Sequence, residues 1–120
     1  MGHLTPLKSR GLKWIRKRAY VANGNAIVHT VSAGKSFYLI HSALMLEPYA
    51  TGNKVGTLQI RDANDVLIAH LQLLYCADAE QGRGESRSYP IPLEIPEGWD
   101  ITIYADAYTS TLASIFGWEE

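Results

Sequence analysis

Cysteine occurs once in this sequence, as Cys76, so no disulfide can close within the chain and no cysteine metal cluster can form. The fold must then rest on its own core, in keeping with a reducing compartment. Acid is missing from the leading part: residues 1–46 hold seven Lys or Arg and no Asp or Glu. No stretch approaches the ~20 apolar residues needed to span a bilayer. Leu4, Leu7 and Leu12 are interrupted by Pro6, Lys8, Arg10 and Gly11, unlike the apolar run of a secretory signal. The net charge of −1 gives the chain as a whole no character of a polyanion binder.

The signatures of enzyme chemistry are also missing. The four histidines, His3, His29, His41 and His70, form none of the close spacings of a metal site. There is no Gly-x-Ser-x-Gly elbow, and Gly82-x-Gly84 lacks the third glycine of a nucleotide loop. Glu94, Glu97, Asp100 and Asp106 cluster around one turn and strand, where solvated turn carboxylates are expected in place of an acid pair across a cleft. Asp62-Ala63-Asn64-Asp65 lacks the distal glutamate of a calcium loop and reads as a hairpin turn. These absences lead to the expectation of a protein that is not an enzyme, with no cofactor and no metal.

What is present is a sequence with 120 residues, 47% apolar and 19% charged, which suits one packed domain and excludes wholesale disorder. From residue 26 onward it reads as strands divided by turns. Ala26–Val31 is short and β-branched, and Ser32-Ala33-Gly34-Lys35 is a turn before the long apolar run Ser36–Leu46. Residues 47–54 form a loop. Val55–Arg61 and Val66–Tyr75 are joined as a hairpin, although Asp65–Tyr75 has some helical character. Residues 76–86 are a polar loop. Arg87–Ile95 alternates, with Pro90 and Pro92 marking an edge strand. Trp99–Ala107 and Thr111–Trp118 close the chain. About seven or eight short strands with regular turn signals predict an all-β fold, a single antiparallel β-sandwich of jelly-roll type.

Residues 1–25 stand apart from this body at 26–120. The run Lys13-Trp14-Ile15-Arg16-Lys17-Arg18-Ala19-Tyr20 precedes a turn-prone Ala22-Asn23-Gly24-Asn25. It has no clean apolar face, so it reads as a basic N-terminal arm, or an edge strand that another surface must order. All twelve acids lie in residues 47–120, against four bases, so the complementary surface is encoded in the same chain. Lys13, Trp14, Ile15, Arg16, Lys17, Arg18 and Tyr20 are the candidate interface residues. Interleaved cations and aromatics also suit nucleic acid, the alternative partner. Pro48, Tyr49, Arg83 and Arg87 are candidate contacts on displayed loops.

The segment Val31-Ser32-Ala33-Gly34-Lys35-Ser36-Phe37-Tyr38-Leu39-Ile40, the strand end Leu58-Gln59-Ile60-Arg61-Asp62 and the turn Ile95-Pro96-Glu97-Gly98-Trp99 resemble small β-sandwich modules of tailed-phage virions, among head decoration, tail and fibre proteins. The likeness covers about residues 26–118 and leaves out the basic segment. It implies a non-enzymatic structural protein of a bacteriophage-like virion, a capsid decoration or tail component, forming a homo-oligomer such as a trimer and assembled in the host cytoplasm. It transfers no catalytic residue. Two rivals stand beside it. One is a carbohydrate- or receptor-binding module using Tyr49, Tyr75, Tyr108 and Trp118. The other is a cupin-like enzyme in which His29, His41 and His70 would converge.

Overall fold

Two long strands organise the molecule. In a computed structural model, which describes residues 12–50, 52–77 and 82–120, β1 (Lys13–Thr30) and β6 (Asp100–Glu119) run antiparallel to each other along their whole length. Residues 1–11 of the expected arm, residue 51 and residues 78–81 of the expected loops lie outside the described residues.

The free side of β6 is shared by two partners. Its first part, Asp100–Ala105, pairs with β3 (Lys54–Arg61), and β3 pairs with β4 (Leu67–Cys76). Its second part, from Thr109 onward, pairs with β2 (Phe37–Pro48), and β2 pairs with β5 (Arg83–Ile95). All pairings are antiparallel, and the described residues form six strands without a helix. The result is one curled sheet, a half-barrel with a β3–β4 half and a β2–β5 half.

The curl comes from bulges at matching heights. Where Ala22 faces Ser110 and Gly24 faces Ala105, four residues of β6 oppose Asn23 alone. Asn23 and Tyr108 take positive φ (55° and 59°), and Gly24 follows at 137°, a value that a side chain would resist. The Asn23 Oδ1 atom accepts bonds from the Tyr108 amide and the Tyr49 hydroxyl, so one amide side chain clamps the bend. The sequence reading treats both places as strand ends and expects seven or eight strands. The structure runs through them, because extra residues in a ladder bend a strand without ending it.

On either side of this bend the odd-numbered residues of β6 face inward. Ile101, Ile103, Ala113 and Ile115 pack there with Leu58, Ile60 and Leu74 from one half and Phe37, Leu39, Leu44 and Leu46 from the other, in one buried cluster. Each fully buried Leu, Ile or Phe side chain among them stabilises the fold by roughly 1.5–3 kcal/mol through burial. Gly117 lets β2 and β6 approach closely: a Cβ there would lie 2.1 Å from the Tyr38 carbonyl oxygen.

Side chains stitch the curled ends together. Buried Gln72 of β4 accepts from the Ser42 hydroxyl (2.6 Å) and donates to the Glu85 carbonyl (3.0 Å). Arg87 of β5 donates to the Leu71 carbonyl (2.9 Å). The β3–β4 hairpin forms as its sequence predicts: the Asp62 carboxylate accepts from the amides of Asn64 and Val66, and the segment with some helical character pairs as a strand over Leu67–Cys76. The proline-bearing β5 is an edge strand, paired only to β2.

Candidate functional site, a basic and aromatic face on the β2–β5 half

The basic segment expected as an arm forms the first part of β1. Lys13–Ala22 pairs residue for residue with Glu119–Ser110, so the edge-strand form of that reading describes it. Ile15 reaches the core. Removal of residues 1–20 would therefore take away the first part of β1, Lys13–Tyr20, together with the core side chain of Ile15.

Alternation along β1 sorts the candidate residues. Trp14, Arg16, Arg18 and Tyr20 lie on the outer face, opposite Trp118, Phe116, Ser114 and Leu112. Lys13, Ile15 and Lys17 lie on the other. The next strand adds Tyr38, His41, Ala43 and Met45, opposite the same β6 residues. Three strands thus place cations and large apolar groups on one side of the sheet. Trp14 is 47% exposed, Tyr20 64% and Met45 54%.

The rings form a connected row. Trp14 stacks on Phe116 at 5.3 Å with planes 5° apart, and meets Trp118 edge-on at 5.6 Å. Trp118 stacks on Tyr38 at 5.2 Å. The Arg16 guanidinium sits 4.8 Å from the centre of the Phe116 ring, a cation–π contact that holds the charge at the row's end. Beside the row runs a groove of about 670 Å³, bordered by Arg16 and Arg18 on β1 and by His41 and Met45 on β2, with Leu112 and Phe116 on β6. No carboxylate lines it among the described residues. His41 contacts the Ser88 hydroxyl at 3.3 Å.

Beneath β1 lies a buried pair that the sequence does not announce. His29 Nε2 and Glu119 Oε2 are 2.6 Å apart, with His29 3% exposed. Burial lowers the His29 pKa, and Lys17 and Lys13 add to this, outweighing the hydrogen bond to the Glu119 carboxylate and its charge, which raise it. Burial pushes the Glu119 carboxyl up, but bonds from the Ser32 hydroxyl and amide and from His29 outweigh it and hold the pKa below its ordinary value. The arrangement is a neutral imidazole donating to a carboxylate, tying the end of β6 to β1. Nδ1 of His29 and Nε1 of Trp118 are buried without a hydrogen-bond partner.

The remaining candidates fall elsewhere. Pro48 is buried at the end of β2 opposite Thr109. Tyr49 is exposed at the bend, edge-on to Tyr108. Arg83 and Arg87 lie within β5, not on a loop, and Arg87 binds β4 and Glu85. The aromatics of the carbohydrate alternative are dispersed: Tyr49 and Tyr108 at the bend, Tyr75 on β4, Trp118 in the ring row. The three histidines lie apart too: His29 in the interior, His41 on the outer groove, and His70 on β4 beside Gln59 and Tyr104. Among the described residues, no group of three His, Cys, Asp or Glu side chains is placed to hold a metal ion.

Phe116, Tyr38 and Met45 are site residues that the sequence reading missed, and His41 appears there only as a candidate of the cupin-like alternative. Their only signal is the even-numbered series of β6 and its register with β2. No family model and no curated protein matches the chain.

Proposed function

We propose that this chain is a non-enzymatic structural module of a phage-like virion, a decoration or tail component that associates with copies of itself and with neighbouring subunits. The observation that carries this reading is the exposed apolar row of β4, an edge strand that side-chain hydrogen bonds at Leu71 and Gln72 bridge to β5. From Leu67 to Cys76 that strand has no Asp, Glu, Lys, Arg or Pro, and Leu67, Ile68, Leu73 and Tyr75 are all exposed, Ile68 by 48%. Natural edges are protected by charge, proline or cover. The other two edges have such protection, four bases on β1 and Pro90 and Pro92 on β5. An edge strand with an exposed apolar row and no charge or proline of its own suits cover by a second subunit.

The jelly-roll-like sandwich belongs to the same proposal, supported by two sheet halves that contribute to one core. In this reading subunits are held by surfaces fixed on the sheet, and the basic strand at Lys13–Tyr20 supplies a charged contact in place of a free arm.

The test is solution mass by light scattering at low and high salt, for the wild type and Ile68→Lys. The reading predicts a discrete oligomer that the lysine dissociates. An oligomer that persists in high salt assigns the contact to the apolar β4 edge, and one that falls apart assigns it to the basic strand. A monomer under all conditions would contradict the proposal.

A further inference from the structure

We infer that the outer groove of the β2–β5 half binds single-stranded nucleic acid. This inference does not depend on the apolar β4 row that carries the assembly reading, which lies on the opposite half of the sheet, and it gives the arginines of the basic strand a nucleic-acid partner in place of a neighbouring subunit. Two properties of the groove define its occupant. The first is charge: Arg16 and Arg18 stand along one wall, and the described lining holds no carboxylate. In a chain of net charge −1 this is a local positive strip, complementary to a polyanion. The second is the ring row. Phe116 lies in the groove, Trp14 stacks on it, and Trp118 and Tyr38 continue the row. A polyanion without rings would have no use for that surface. A single strand offers phosphates to the arginines and unstacked bases to the aromatic edges and to the apolar floor at Leu112 and Met45.

Duplex nucleic acid fits less well, because its bases are already stacked on one another. An anionic membrane surface would engage the arginines without calling on an aligned row of rings. The geometry therefore favours a strand lying across β1, β6 and β2, with its backbone along Arg16 and Arg18.

The experiment is fluorescence anisotropy of a labelled oligothymidine of about a dozen nucleotides with the full chain, alongside quenching of the protein's tryptophan emission. Binding should quench that emission, and with two phosphate contacts it should weaken about sevenfold between roughly 50 and 200 mM salt. Trp14→Ala should weaken oligothymidine roughly tenfold or more and leave heparin, a polyanion without bases, unchanged. Arg18→Glu alters only an exposed side chain, so it reports on binding even if Trp14→Ala perturbs folding. It should abolish most of the affinity with an unchanged circular dichroism spectrum. Absence of binding at low salt would overturn the inference. So would affinity indifferent to Arg18→Glu, or heparin or duplex binding as tightly with the same response to Trp14→Ala.

Discussion

The two halves of the sheet share β1 and β6 and one core, yet their outer faces are finished differently. On the β3–β4 half the outer residues Thr57, Gln59 and Thr102 are buried and polar. They satisfy one another: Gln59 Nε2 donates to Thr57, and Gln59 Oε1 accepts from Arg61 Nε and faces the Thr102 hydroxyl at 3.4 Å. Tyr104 and Asp106 extend the pattern, with the Tyr104 hydroxyl on the Asp106 carboxylate at 2.7 Å and the Val55 amide on its other oxygen. On the β2–β5 half the corresponding positions carry exposed rings, Met45 and two arginines. A face whose polar groups are mutually satisfied needs no partner to be stable. A face of exposed rings and cations gains from one. A ligand is therefore best sought on the second face, and a partner subunit at the exposed apolar row of β4.

The comparison can be tested first at two glycines, one in each half. At Gly117, on the β2–β5 half, a new Cβ meets backbone, the Tyr38 carbonyl oxygen at 2.1 Å and carbon at 3.0 Å. Gly117→Ala should cost at least about 3 kcal/mol in urea unfolding, because β2 and β6 would have to separate. At Gly56, on the β3–β4 half, the new atom meets side chains, Thr111 Oγ1 at 2.7 Å and Leu46 Cδ1 at 2.9 Å. Those can shift, so Gly56→Ala should cost about 1–3 kcal/mol. Equal losses would mean that the close approach at Gly117 is absent.

The outer faces can then be compared by stability alone. Gln59→Ala leaves the Arg61, Thr57 and Thr102 groups without their shared partner and should cost about 1–3 kcal/mol. Arg18→Ala on the opposite face should change stability by no more than about 0.5 kcal/mol. A reversed order would remove the distinction between a closed and an open face.

A smaller effect concerns pH. The pKa of His29 is lowered from 6.5 and that of Glu119 from 4.5, so in acid the unfolded chain binds more protons than the folded one. The stability these groups contribute is complete above about pH 6.5 and declines below it, first through His29 and then, below about 4.5, through Glu119. The decline through His29 is partly offset because a protonated imidazole still faces the Glu119 carboxylate. His29→Phe should flatten the upper part of this profile in thermal melts. An unchanged profile would show that the pair does not govern acid sensitivity.

Much of this architecture was legible in local sequence. The Asp62–Asp65 turn, the alternation of Val55–Arg61 and the prolines of β5 each predict what they form, because turn chemistry and side-chain period act over a few residues. Asn23-Gly24 and the stretch around Tyr108 misled for a complementary reason. Their local chemistry is that of a turn, but pairing between β1 and β6 on either side turns both into bulges. Of the site, Trp14, Arg16, Arg18 and Tyr20 were readable as one side of a period-2 segment. Their neighbours Tyr38, Met45 and Phe116 depend on register between strands far apart in sequence. The His29–Glu119 pair joins residues separated by 90 positions, beyond the reach of any local pattern.

The central claim is that the basic segment is a strand of the sheet, which alone aligns its arginines and tryptophan with the rings of β6. Amide hydrogen exchange across β1 tests it most directly. The account predicts that amides of Lys13–Ala22 bonded to β6 are protected to a degree similar to those of Gly24–Thr30, and that Phe116–Glu119 is protected with them. Rapid exchange throughout Lys13–Ala22, with Gly24–Thr30 still protected, would contradict it and restore a free basic arm.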